Sequence, residues 1–152
     1  MKNHEMFAIP DEGISLHSLM GSLLPGLQQT AVRHKSFFVN DIPEDILIRA
    51  DKNIVSSVVA NLLRIVSRNA DNSCIRVSAK AYHNVVLMQV RDSNTCNKYA
   101  ISASLLQVEP MIGKIGGYID INNQRQKSTT IAFSFSNMPG WLHEKKFDNL
   151  RI

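Results

Sequence analysis

Val58-Val59-Ala60-Asn61-Leu62-Leu63 lies at the centre of a longer apolar stripe, and its reading decides the fold. From Lys52 to Arg68, the residues Ile54, Val55, Val58, Val59, Leu62, Leu63, Ile65 and Val66 recur at the three- and four-residue spacing of one helix face. β-Branched side chains are poor formers of an isolated helix, so tertiary packing has to hold this one. Asp51 is the expected N-cap, and Asn69-Ala70-Asp71-Asn72-Ser73 supplies the turn formers that end the helix.

Upstream, Leu16, Leu19, Met20, Leu23, Leu24, Leu27 and Ala31 draw a second helical stripe between Ser15 and His34. Pro25 removes one backbone bond there, to Gly21, which predicts a kink or a break into two shorter helices. Lys35 to Val39 and Ile46 to Ala50 read as a pair of short strands around the turn Asn40-Asp41-Ile42-Pro43. Downstream, Ile75, Val77, Ala79 and Ala81 alternate with polar residues, and Tyr82-His83-Asn84 loops into Val85 to Val90, an antiparallel hairpin with one apolar face. A polar segment, Arg91 to Ala100, precedes one helix from Ile101 to Ile115 that contains Pro110 and stops at Gly116-Gly117. Tyr118 to Asn122 and Thr129 to Ser136 form a last hairpin across the basic loop Asn123 to Lys127.

At 152 residues the chain is about one domain, and 44% apolar with 20% charged residues excludes a disordered tail, a collagen-like rod and a coiled coil. The net charge of +4 suits an acidic partner but is no nucleic-acid signature, and the aromatic residues do not interleave with basic ones as a stacking platform requires. Nucleic acid is therefore not an expected partner. Cys74 and Cys96 are too far apart for a C-x-x-C motif and read as reduced, buried thiols; His4, His17, His34, His83 and His143 have no metal-ligand spacing. No apolar run approaches a membrane span and Met1-Lys2-Asn3-His4-Glu5 lacks the pattern of a signal peptide, so a cytoplasmic protein with no membrane contact is expected.

This order of elements predicts an α+β, two-layer sandwich, a mixed and mostly antiparallel sheet covered on one face by about three helices. Four stretches make the prediction specific: Ile42-Pro43-Glu44-Asp45-Ile46-Leu47-Ile48-Arg49-Ala50-Asp51; Val58-Val59-Ala60-Asn61-Leu62-Leu63; Val90-Arg91-Asp92-Ser93-Asn94; and Gly116-Gly117-Tyr118-Ile119-Asp120-Ile121 with Ser128-Thr129-Thr130-Ile131-Ala132-Phe133. From Ile14 to Asn137 the sequence resembles the catalytic ATP-binding domain of bacterial sensor histidine kinases, the Bergerat fold shared with gyrase-type ATPases. The implied division is an N-terminal extension, 1–13, an ATPase-like domain, 14–137, and a C-terminal tail, 138–152, with Trp141, Phe147, Leu150 and Ile152 among charges.

The resemblance implies site residues, and the sequence departs from several of them. Asn61 matches the first asparagine of the family's N-L-L-x-N-A box, but the second, which ligates Mg²⁺ in an active kinase, is Ile65 here. Asn69 is a displaced alternative, and a helix-end asparagine is its ordinary reading. Asp92 matches the carboxylate that contacts adenine, and Thr129 the threonine near that pocket. Asn94 and Cys96 stand where the first glycine box has its glycines, and Ser102-Ala103-Ser104-Leu105 stands for G-x-G-L of the second, which cradles phosphates. The phosphoacceptor helix pair is absent from the sequence, and His4-Glu5 is a chance likeness to the family's H box.

Asn61, Asp92 and Thr129 thus outline a degenerate nucleotide pocket. The expected role is a non-catalytic regulatory or protein-binding module in bacterial two-component signalling, with no cofactor. The alternative is a divergent ATP- or ADP-binding catalytic domain, with Mg²⁺, of a split histidine kinase or an anti-sigma-type serine kinase. The implied partner is a phosphoacceptor domain, a response regulator or a sigma-factor regulator.

Overall fold

The structure, a computed structural model, describes residues 13–94, 98–122 and 128–138. His4-Glu5, Cys96, the basic loop 123–127 and the apolar tail residues Trp141, Phe147, Leu150 and Ile152 lie outside them. In chain order the elements are β1 (Ile14–Ser15), α1 (Leu16–Arg33), β2 (Phe37–Asn40), β3 (Leu47–Ile48), α2 (Lys52–Asn69), β4 (Cys74–Tyr82), β5 (Val85–Asp92), α3 (Lys98–Leu105), α4 (Glu109–Lys114), β6 (Tyr118–Asn122) and β7 (Thr129–Ser136).

Five strands form one sheet in the order β2-β4-β5-β7-β6, parallel only between β2 and β4. The period-two alternation works as read: Ile75, Val77, Val86, Met88, Val90, Ile131, Phe133 and Phe135 are all buried on one face. The helices cover that face and close a single core with it. This is the expected α+β arrangement, with four helices among the described residues where about three were expected.

The expected pairing of the two short strands around the Ile42-Pro43 turn is not formed. β2 adds in parallel to β4, and β3 pairs antiparallel with β1. Alternation dictates which face a strand buries but not which strand lies beside it. β3 is held from far along the chain by Asn137, whose Oδ1 accepts from the N–H of Arg49 at 2.6 Å and of Ala50 at 3.3 Å, while its Nδ2 donates to the Leu47 carbonyl at 2.7 Å.

The caps follow the sequence. Asp51 accepts from the N–H groups of Asn53 (3.0 Å) and Ile54 (3.3 Å) at the start of α2, and Ser15 accepts from Ser18 (3.2 Å) at the start of α1. α1 runs through Pro25 as one element, against the expected break. Pro25 and Gly21 both lie on the exposed side, so the carbonyl that loses its partner is left on the solvent side.

The helix expected over Ile101 to Ile115 is instead two. α3 begins earlier, at Lys98, inside the segment expected as loop, and Pro110 sits in the first turn of α4, where its missing N–H costs nothing. Gly116, at φ +60°, ends α4 in the left-handed region. Gly117 then passes so close that a Cβ would lie 2.7 Å from Ile112 Cγ2 and from the Ser134 carbonyl oxygen, which seats α4 against β7.

Candidate functional site

Asp92 is the last inward-facing residue of β5, following Val86, Met88 and Val90 at alternate positions. Its register partners are Ile75 on β4 and Thr129 on β7, so the sheet itself brings Asp92 and Thr129 side by side, 1% and 2% exposed. Asp92 Oδ1 accepts from the N–H of Asn94 at 2.9 Å. Oδ2 is buried and has no hydrogen-bond partner among the described residues. Buried carboxylate oxygens are bonded as a rule, so Oδ2 is an acceptor presented to whatever N–H or O–H enters that end of the sheet.

The rim of this end is tied by side chains. Asn94 Nδ2 donates to the carbonyls of Asp71 and Asn72, 2.9 Å each, and Ser93 Oγ accepts from the N–H of Cys74 at 3.0 Å. Asn94, at the place where the resemblance expects a glycine, is therefore a staple between the β5 exit and the turn after α2. Cys74, expected to be buried, is a half-exposed free thiol, because the turn 71–73 leaves the first residue of β4 at the rim.

The second half of the site lies on α2. Ser57, Asn61, Ile65 and Asn69 recur every four residues, one stripe of the helix, and Ser57 Oγ faces Met111 of α4 at 3.8 Å from its sulfur. Asn61 is engaged within its own helix: Nδ2 donates to the Ser57 carbonyl at 2.9 Å, and Oδ1 accepts from the Arg64 guanidinium at 2.8 Å. Ile65 packs its partly buried side chain against the core, and Asn69 Nδ2 donates to the Ile65 carbonyl at 2.8 Å. A divalent cation at this stripe would meet a hydrocarbon at Ile65 and, at Asn61, an oxygen already hydrogen-bonded to a guanidinium. Mg²⁺ needs oxygen ligands in near-octahedral geometry, and this stripe does not fit it. Among the described residues no three His, Cys, Asp or Glu side chains come together as a metal ion would need.

Of the three residues expected to share a pocket, Asp92 and Thr129 are adjacent, whereas the amide of Asn61 is turned to partners on α2. Ser102-Ala103-Ser104-Leu105, expected in a phosphate-cradling loop, lies within α3, where backbone N–H groups of a second turn are consumed by the helix ladder. Sequence reasoning did not see that Arg64 occupies the Asn61 oxygen. Its position three residues on, on the same helix face, was the available signal.

No family model matches the sequence, and no curated protein matches it either. Solved structures do. The chain is similar to Acinetobacter baumannii histidine kinase AdeS (TM-score 0.72, 13% identity, 83% of this chain and 66% of that one). It is also similar to the nucleotide-free catalytic domain of histidine kinase ThkA (0.70, 16%, 84% and 95%) and to the mycobacterial sensor histidine kinase MprB (0.66, 12%, 85% and 99%). The chain has the histidine kinase ATPase fold.

Proposed function

We infer that this chain is a non-catalytic signalling module, a kinase-type ATPase fold that works through protein contacts rather than phosphoryl transfer. The observation that carries this reading is the α2 stripe, in which Ile65 offers no oxygen and Asn61 Oδ1 is held by Arg64. Without a metal ligand from α2, nothing there fixes a triphosphate for in-line transfer. The partner would be a phosphoacceptor domain, a response regulator or a sigma-factor regulator in a bacterial cytoplasm. Likeness to ThkA, which has been solved in complex with the response regulator TrrA, supports looking first among response regulators. Among the described residues, no helix is long and apolar enough to cross a membrane.

One observation favours a second reading, retained binding of ATP or ADP at the base end. Asp92 Oδ2, buried and unpartnered beside Thr129, is an acceptor suited to an amino group such as that of adenine.

Thermal unfolding with and without millimolar ATP, ADP and Mg²⁺ separates the two. A ligand at one hundred times its Kd adds about 2.7 kcal/mol, a rise of roughly 5 to 10 °C for a domain of this size. The non-catalytic reading expects no Mg²⁺-dependent rise with either nucleotide. A Mg²⁺-dependent rise abolished by Asp92→Asn overturns it. A rise indifferent to Mg²⁺ establishes the second reading without restoring catalysis.

A further inference from the structure

The face of the sheet turned away from the helices carries its own pattern, independent of the site above. Strand register lays its side chains in rows: Arg76, Arg91, Thr130 and Asn122 in one, Ser78, Gln89, Ala132 and Asp120 in the next. These two rows line an open groove of about 400 Å³.

The first row sets two arginines directly opposite each other on neighbouring strands, an arrangement that costs stability unless the charge is answered. Among the described residues, only one of them is answered by a carboxylate. Arg76 donates to Asp41 in an ion pair, and the hydrogen bond to Asp41 with its charge raises the guanidinium pKa. Asp41 follows β2, which lies on the far side of β4 from β5, so this pair draws Arg76 outward along the sheet. Arg91 has no carboxylate partner among the described residues, and it is exposed beside the hydroxyl of Thr130 and the amides of Gln89 and Asn122. The groove therefore presents one unneutralised guanidinium, flanked by neutral donors, on a chain of net charge +4. That is the complement of a carboxylate: Arg binds it by a fork of parallel N–H groups, and the neighbouring donors can serve its remaining lone pairs.

From this juxtaposition we propose that the open face of the sheet docks an acidic segment of a partner protein, with a carboxylate of that segment seated on Arg91. The twisted sheet gives the segment a trough to lie in, and Asp41 keeps the second arginine from repelling Arg91 while the trough is empty of partner. Asp120, at the opposite end of the second row, restricts the acidic side chains to the Arg91 end.

The probe is a hexaglutamate peptide, titrated into the ¹⁵N-labelled chain at low and moderate salt. Amide shifts are expected to centre on Arg76, Ser78, Gln89, Arg91 and Thr130, and Arg91→Gln is expected to weaken binding by about fivefold. Lys114→Gln, which removes the same charge from α4, is expected to leave binding unchanged and controls for net charge. Both positions are exposed, and matched far-ultraviolet circular dichroism checks that both variants are folded. Shifts scattered over basic residues of the helices, equal weakening by the two variants, or no saturable binding would each overturn the proposal. Tighter binding of a DNA duplex at the same residues would overturn it in favour of nucleic acid.

Discussion

At Asn61 a single neighbour decides what the residue can do. Its side-chain oxygen is chemically able to ligate a metal, but the guanidinium of Arg64 lies 2.8 Å away, and the next side chain along the stripe is the hydrocarbon of Ile65. If these two side chains are what keeps a metal ion out, removing both should admit one. Arg64→Ala with Ile65→Asn is expected to gain a Mg²⁺-dependent rise in Tm with ADP, about 3 to 6 °C at tenfold over Kd. Either single variant should show none, and thermal denaturation in Mg²⁺ and in EDTA makes the comparison. Asp92 is singled out in the sequence by the likeness of Val90-Arg91-Asp92-Ser93-Asn94 to a family motif and not by periodicity, which reads only as far as Val90. That Asn61 is spent on Arg64 was not legible, because spacing puts two side chains on one face without saying which atoms meet.

Among the elements, the short ones carry the surprises. The long stripes of α1 and α2 were readable because periodicity over many residues leaves one solution, and their caps at Ser15 and Asp51 confirmed the register. β3 has two residues and no periodicity to read; its place depends on Asn137, ninety residues later for Leu47. Asn137 makes three side-chain bonds to this segment, and its N–H donates to the Asn84 carbonyl at the β4–β5 turn. Asn137→Ala hands two backbone N–H groups and one carbonyl at the end of β3 over to solvent, at a cost of about 1 kcal/mol. Urea denaturation should show a lower midpoint with an unchanged slope. The same variant retains the Asn84 bond, so the β4–β5 hairpin should keep its amide protection while residues 47–50 lose theirs.

For the molecule as a whole, composition and element order pointed to one α+β body, and the alternation in β4, β5 and β7 told which face is inward. Neighbour relations were hidden, because β2 finds its partner only after β3 and α2 have been laid down. The two turns that start this parallel pair are bonded to each other: Asn72 N–H donates to the His34 carbonyl, Phe37 N–H to the Ser73 carbonyl, and Ser73 N–H to Ser36 Oγ at 3.0 Å. Lys35 and Asn72, both at positive φ, shape those turns, a strain that local sequence signals alone do not announce.

The parallel β2–β4 pair also has a kinetic meaning. Its two strands are separated by a crossover that contains all of α2, so their contact closes a long loop, whereas β4 and β5 meet across the tight turn at His83 and Asn84. Local contacts repay chain closure early and distant ones late. β2 should therefore still be undocked in the transition state for folding. Phe38→Ala, a truncation of the buried side chain of β2, is expected to speed unfolding and leave the folding rate nearly unchanged, while Val90→Ala in β5 slows folding; the two arms of a stopped-flow chevron read both. The edge that closes the sheet last is then also the first to come away, so a brief opening of the native protein exposes the flank of β4 before it disturbs the strands that carry Asp92 and Arg91.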